Sequence, residues 1–154
     1  MRIAVGSDHR GVGMLSQAME ILRQHGHEVI ECHSQVTEGT IDYPEVAAKV
    51  GTLVSKGEVD RGLLICGTGI GMSIVANKFP GVRAAVCPDE LTAEISRRHN
   101  NLNVLCLSGD MLGQNALHGV IRVWLETPFE HGRHERRIEE IRNIERKISA
   151  GEWP

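Results

Sequence analysis

The stretch LLICGTGIGMSIVANK, Leu63 to Lys78, joins an apolar run to a helical pattern through Cys66-Gly67-Thr68-Gly69-Ile70-Gly71. Strand, glycine-rich turn and helix together can hold a phosphate or an oxyanion. The glycines uncover backbone N–H groups, and the helix adds its free first N–H groups and the positive end of its dipole. The spacing is not the dinucleotide fingerprint GxGxxG, and no Gly-Lys-Ser/Thr follows, so the loop is not a nucleotide P-loop. A nest without those features suits a small anionic species, including a transient one. Cys66 sits at its mouth, where a helix N-terminus favours a thiolate, and a thiolate can act as nucleophile or as proton-abstracting base. The plainer alternatives are a tight packing turn for the glycines and a buried strand end for Cys66, as for Cys87 and Cys106.

Two further groups carry chemistry. Asp8 and His9 end the first apolar run, in GSDHRG, where a helix cap and a surface imidazole are the competing roles. The polar break SRRHNN places Arg97, Arg98, His99 and Asn100 between a helical pattern and the next strand. There the basic residues would complement the helix dipole and Asn100 would take the left-handed residue. His25, His27 and His33 bracket the second strand with Cys32 but show no metal-ligand spacing on one face, so no metal is expected there. His118 falls in an amphipathic pattern and reads as packing, while His131 and His134 flank Arg133.

These residues need a scaffold, and the hydrophobic patterning supplies one. Strand-like runs cover Arg2–Val5, Glu28–Cys32, Gly62–Cys66, Arg83–Cys87 and Val104–Leu107. Helical patterns cover Val12–His25, Pro44–Val54 with Pro44 at the first helical position, Ile70–Phe79, Asp89–Arg98 and Gln114–Leu125. Ser34–Asp42 is polar and turn-rich. Alternating strands and helices predict an α/β fold with a parallel sheet covered on both faces. In such a sheet, ligands bind beyond the carboxyl ends of the strands. After a hinge at Pro128–Gly132, Ile138, Ile141, Ile144 and Ile148 form a narrow stripe on a charged helix, which must dock on its own domain or on a partner subunit.

Composition narrows the classes. The 154 residues make one domain, and at 41% hydrophobic but 3% aromatic its core must be aliphatic. A net charge of −3 argues against nucleic-acid binding, no run is long enough to span a bilayer, and no signal peptide precedes the first strand. Four scattered cysteines without a CxxC pair suggest reduced thiols and a cytoplasmic location.

GSDHRG, DYP (Asp42–Pro44), GEVDRGLLICGTGIGMSIVANKFPGVRAAVC, SRRHNNLNVL and GRHERRIEEI together resemble the type B ribose-5-phosphate isomerases, a family that includes the galactose-6-phosphate isomerase subunits. The resemblance runs over nearly the whole chain. It implies a Rossmann-like three-layer αβα sandwich with a five-stranded parallel sheet over residues 1–132. Residues 133–154 would form a helix and tail of the same domain that pack on a partner subunit in a homodimer or tetramer. It implies cofactor-free, metal-free aldose–ketose isomerisation of a sugar phosphate through a cis-enediolate. By position, Cys66 resembles the base and Thr68 the group that handles hydroxyl protons. Gly67, Gly69, Ile70 and Gly71 resemble the oxyanion nest, and Asp8 and His9 substrate contacts. His99 resembles the acid that opens the furanose ring, with Asn100 beside it, and Arg133 and Arg137 resemble phosphate ligands. Some members carry a glutamate base in this loop; here Gly71-Met72-Ser73 has no carboxylate, so the chain matches the cysteine type.

One position departs from the pattern. Many ribose-phosphate members have an arginine where SGDML places Asp110, which opens the substrate to another pentose, tetrose or hexose phosphate. Two other classes compete on the residues alone: a non-catalytic small-molecule or nucleotide-binding module on the same fold, and a cysteine-nucleophile hydrolase or redox enzyme.

Overall fold

The computed structural model describes residues 1–32 and 42–152. His33 and the turn-rich stretch up to residue 41 lie outside the described residues. The elements follow in the order β1 (Arg2–Ser7), α1 (Val12–Gln24), β2 (Glu28–Glu31), α2 (Tyr43–Ser55), β3 (Arg61–Cys66), α3 (Ile70–Ala76), β4 (Ala84–Val86), α4 (Glu90–Asn100), β5 (Val104–Ser108), α5 (Gln114–Glu126) and α6 (Arg133–Ser149).

The strands form one parallel sheet in the order β2-β1-β3-β5-β4. Their near-continuous apolar sequences follow from burial on both faces. Alternation along each strand sends Ile3, Val5, Leu63, Ile65, Leu105 and Leu107 to one side, against α1 and α5. Ala4, Leu64, Cys66, Val104 and Cys106 go to the other, against α2 and α3. The layers are therefore helix, sheet and helix, a Rossmann-like α/β fold. The core is aliphatic apart from the fully buried Trp124, whose indole N–H donates to the Leu102 carbonyl at 3.3 Å. Among the described residues, no helix is long and apolar enough to cross a membrane.

The structure differs from the sequence reading at helix ends. Helix α3 stops at Ala76, not Phe79, because the Asn77 side chain turns to β4: its amide donates to the Ala84 carbonyl at 2.8 Å and its oxygen accepts the Ala84 N–H at 2.8 Å. Tyr43 opens α2, so Pro44 is its second residue. Helix α4 runs on through Asn100, and Asn101, at φ 47°, is the left-handed residue that closes it. Arg97 does not lie along the surface at this helix end. It is buried and donates to the Leu102 carbonyl at 2.6 Å and the Asn101 side chain at 2.8 Å, and burial lowers its pKa to about 10. His118 is exposed, its ring tilted against His25 at 5.7 Å, so it does not pack in the core.

Along α6, Ile138 is 3% exposed but Ile141 is 42%, Ile144 39% and Ile148 58% exposed. Only the first residue of the stripe is sealed within the chain.

Candidate active site

The carboxyl ends of β1, β3 and β5 lie side by side, and their loops are laced together. Ser7 pairs with Ile65, and Cys66 with Ser108. The Gly109 N–H donates to the Cys66 carbonyl at 2.8 Å, and both the Ser108 hydroxyl and the Asp110 N–H donate to the Gly67 carbonyl, at 2.6 and 3.1 Å. Asp8 is buried, and one of its carboxylate oxygens accepts the N–H groups of Arg10 and Gly11 at 2.9 and 3.2 Å. That turn sets the exposed His9 at the rim.

Within this frame the Cys66 loop takes a defined shape. The Gly69 N–H donates to Cys66 Sγ at 3.1 Å, and Gly69 has φ 77°, a conformation that favours glycine. A Cβ there would lie 3.1 Å from the Leu107 carbonyl oxygen. A Cβ on Gly71 would meet the Tyr43 ring at 2.7 Å, and one on Gly67 would meet Asp110 Oδ2 at 2.9 Å and Arg10 at 3.1 Å. Thr68 is exposed, and its hydroxyl accepts the Ile70 N–H at 3.3 Å, at the start of α3. Cys66 is 4% exposed with the Gly69 N–H aimed at its sulfur, and Gly67 and Gly69 are buried while Thr68 and Ile70 are exposed. Burial pushes the thiols of Cys87 and Cys106 up, Cys87 to about 11.

The other expected residues lie elsewhere. His99 and Asn100 end α4, just before β5 begins at Val104, whereas Cys66 pairs with the last residue of β5. Val104 to Ser108 alone spans about 13 Å of extended chain. The sequence-predicted residues therefore form two groups in one chain. Asp8, His9 and Cys66–Gly71 share the carboxyl edge of the sheet; His99, Asn100 and Arg133 lie at the amino edge, and Arg137 one turn along α6 is near enough for its charge to be felt at His134.

The amino-edge group has its own geometry. The His99 and His134 rings stack in parallel, 4.2 Å between centroids at 5°. Glu130 faces both, its Oε2 3.9 Å from His99 Nε2 and 3.6 Å from His134 Nε2, and Arg98 grips its other oxygen through Nε at 2.6 Å. The Glu130 N–H donates to the Arg98 carbonyl at 3.0 Å, so the expected hinge is fastened to α4. Burial lowers the His134 pKa, and the charges of His99 and Arg133 push the same way. Arg133 Nε accordingly donates to His134 Nε2 at 3.3 Å, which requires that nitrogen to be unprotonated. Ligand atoms of His99, Glu130 and His134 lie within 4.8 Å of one another. Two stacked, parallel imidazoles cannot both aim an in-plane lone pair at one ion, so this geometry is unsuited to a metal centre as it stands. A cleft of about 450 Å³ adjoins it, lined by Arg83, Ser96, Asn100, Ile141 and Glu145 among others.

Comparison with known proteins decides the family. The family model for Ribose/Galactose Isomerase matches residues 3–141. The chain belongs to that family. Ribose-5-phosphate isomerase B of Escherichia coli K12 is 42% identical over 95% of this chain and 97% of its own length. A D-erythrulose-4-phosphate isomerase of Pectobacterium atrosepticum is 36% identical over 92% and 93%. The solved structure of Clostridium thermocellum ribose-5-phosphate isomerase B superposes with a TM-score of 0.90 at 42% identity, covering 96% of this chain and 99% of that one. This isomerase therefore carries out aldose–ketose isomerisation of a sugar phosphate.

Sequence reasoning gave no role in this isomerase to Arg10, Tyr43 and Glu130, and named His134 only as a neighbour of Arg133. Glu130 and His134 stand four residues apart, a spacing that joins them once α6 begins between them. Arg10 and Asp110 carry opposite charges just beyond the ends of β1 and β5, the two strands that flank β3, which only the strand order reveals.

Proposed function

We propose that this isomerase interconverts an aldose phosphate, ribose 5-phosphate or a related tetrose, pentose or hexose phosphate, and its ketose through a cis-enediolate with Cys66 as base. The observation that carries this reading is the Gly69 N–H held 3.1 Å from Cys66 Sγ in the glycine loop at the carboxyl end of β3. In the aldose-to-ketose direction the Cys66 thiolate takes the C2 proton, and the C2–H electrons move into a C1–C2 double bond. The negative charge developing on oxygen is met by the N–H groups around Gly67, Gly69, Ile70 and Gly71. The proton returns to C1, while Thr68 relays the hydroxyl proton from O2 to O1. Asp8 and His9 hold sugar hydroxyls at the rim.

Ring opening and phosphate binding need the second group. His99 is the acid for the ring oxygen, with Asn100 beside it, and Arg133 and Arg137 take the phosphate. Because the two groups sit at opposite edges of one sheet, the site is completed by a second copy of the chain, which brings its His99, Asn100, Arg133 and Arg137 to the first copy's Cys66 loop. Exposed apolar residues support such a contact: Ile70 and Ile74 on α3 and Leu91 and Ile95 on α4, one turn apart on each helix, flank the open sheet edge at β4. Residues 133–154 then act as the dimerisation helix and tail, and four free thiols fit a reducing cytoplasm.

The test is turnover of four- to six-carbon aldose phosphates in deuterated water. Deuterium should enter product carbon-bound positions without a covalent enzyme adduct. Cys66→Ala should cost about 10²–10⁴-fold in kcat, as expected for removing a general base. Activity within a few-fold of wild type would remove Cys66 from the role, and tolerance of Cys66→Ser would favour a binding module.

A further inference from the structure

The Arg10–Asp110 pair lies on the Cys66 loop and has no part in the chemistry above. Arg10 Nε is 2.9 Å from Asp110 Oδ2 and 3.2 Å from Oδ1, and Nη2 is 2.7 Å from Oδ2. The carboxylate thus covers the side edge of the guanidinium, formed by Nε and Nη2. The end edge, formed by Nη1 and the second Nη2 hydrogen, makes no hydrogen bond or ion pair among the described residues. A guanidinium can serve an oxyanion on each edge, so the pair leaves a second bidentate face open.

The pair is fixed as well as half-open. The Arg10 N–H is held by the buried Asp8 carboxylate, and the Asp110 N–H by the Gly67 carbonyl. Both side chains press on Gly67, where a Cβ would lie within 3.1 Å of Arg10 Cδ and Nε and 2.9 Å of Asp110 Oδ2. The guanidinium therefore loses little further freedom when it engages a ligand. It is anchored next to the residue that follows Cys66, at the carboxyl edge, whereas Arg133 of the same chain lies at the amino edge.

We propose that Arg10, oriented by Asp110, is an oxyanion ligand of this site, taking a phosphate oxygen pair of the substrate on its open Nη1/Nη2 edge, with Asp110 as positioning residue. The inference rests on the proposed isomerase site but concerns binding, so it is tested apart from turnover. Calorimetric titration of the full-length protein with inorganic phosphate is the primary measurement, with KM for the best sugar phosphate alongside it. Arg10→Ala should weaken phosphate binding about tenfold or more, as for loss of charge-assisted bidentate bonds, and KM should rise with it. Arg10→Lys should recover little, because an ammonium offers no planar fork.

Asp110→Ala is the sharper probe. Removing a carboxylate beside an anion site should strengthen phosphate binding if charge alone matters, whereas losing the group that orients Arg10 should weaken it several-fold. Both residues are half-exposed, so neither change threatens the core. Phosphate binding unchanged in Arg10→Ala, full recovery in Arg10→Lys, tighter binding in Asp110→Ala, or no measurable phosphate binding by the wild type would each overturn the proposal. If no aldose phosphate were turned over while phosphate binding still depended on Arg10, the isomerase chemistry would fall and this inference would stand.

Discussion

Mixing two inactive variants decides whether the site is divided between chains. Cys66→Ala removes the proposed base at the carboxyl edge, and His99→Ala removes the proposed acid at the amino edge. Val104 to Ser108 alone separates their strand ends by about 13 Å, whereas an acid and a base serving one sugar must each come within about 3 Å of it. One chain therefore cannot bring both to a single substrate without rebuilding the end of α4, which Arg97 pins through the Leu102 carbonyl. If two copies share their sites, equal amounts of the variants, dissociated and reassembled, give about half mixed dimers, each with one intact site and one doubly damaged site. Activity should then return to about a quarter of wild type, from parents each some 10²–10⁴-fold down. The assay needs a ring-forming aldose phosphate, since a substrate already open would not call on His99. Differently tagged variants allow the mixed dimer to be purified and its turnover measured directly. Purified mixed dimers as inactive as their parents would refute the divided site while leaving Cys66 as base untouched.

Other outcomes follow from the same geometry. Arg133→Ala and Arg137→Ala should act on KM more than on kcat, each costing about 1.5–3 kcal/mol of substrate binding; an unchanged KM in both would move the phosphate elsewhere. Gly69→Ala forces a side chain into left-handed backbone beside the Leu107 carbonyl and should cost about 1–2 kcal/mol of stability in urea unfolding. It should also lower kcat by turning the N–H away from Cys66 Sγ; a normal kcat would separate that hydrogen bond from the chemistry. His134 is held neutral in the fold, so the unfolded chain binds its proton first as pH falls. Its share of stability is present above the ordinary histidine value, about 6.5, and is lost on acidification below it. Thermal unfolding at pH 7.5 and 5.5 should show a smaller acid loss in His134→Gln than in wild type, and an equal loss would contradict the assignment.

Much of the scaffold was legible in the chain because it is written in local terms. Five apolar runs with helical spacing between them specify parallel strands buried on both faces, and three alternating glycines mark a special turn before a helix. Helix ends were misjudged where a side chain decides them from a distance: Asn77 stops α3 by reaching β4, and Asn101, not Asn100, closes α4 over the buried Arg97. The glycine loop and its thiol could be found because the motif is contiguous. The Arg10–Asp110 pair could not, since its members stand 100 residues apart and meet only because β5 lies next to β3 and β3 next to β1. Asp110, which as a residue type looked like the loss of a cation, is in the fold the partner of one.

The lacing between β3 and β5 also sets an order in time. The two central strand pairings of this sheet join distant parts of the chain: Ile3 to Arg61, and Leu63 to Leu105. Such pairings are slow to form, and none can form before both strands have been synthesised. The Cys66 loop is held by donors at Ser108, Gly109 and Asp110 and packs against the Leu107 carbonyl, all made some forty residues later. A nascent chain halted before residue 110 carries the thiol and its glycines but not the strand that folds them into a loop, so chemical competence of the thiol marks the completion of β5 during synthesis. Reactivity of Cys66 in stalled chains of increasing length would thus date the closing of the sheet.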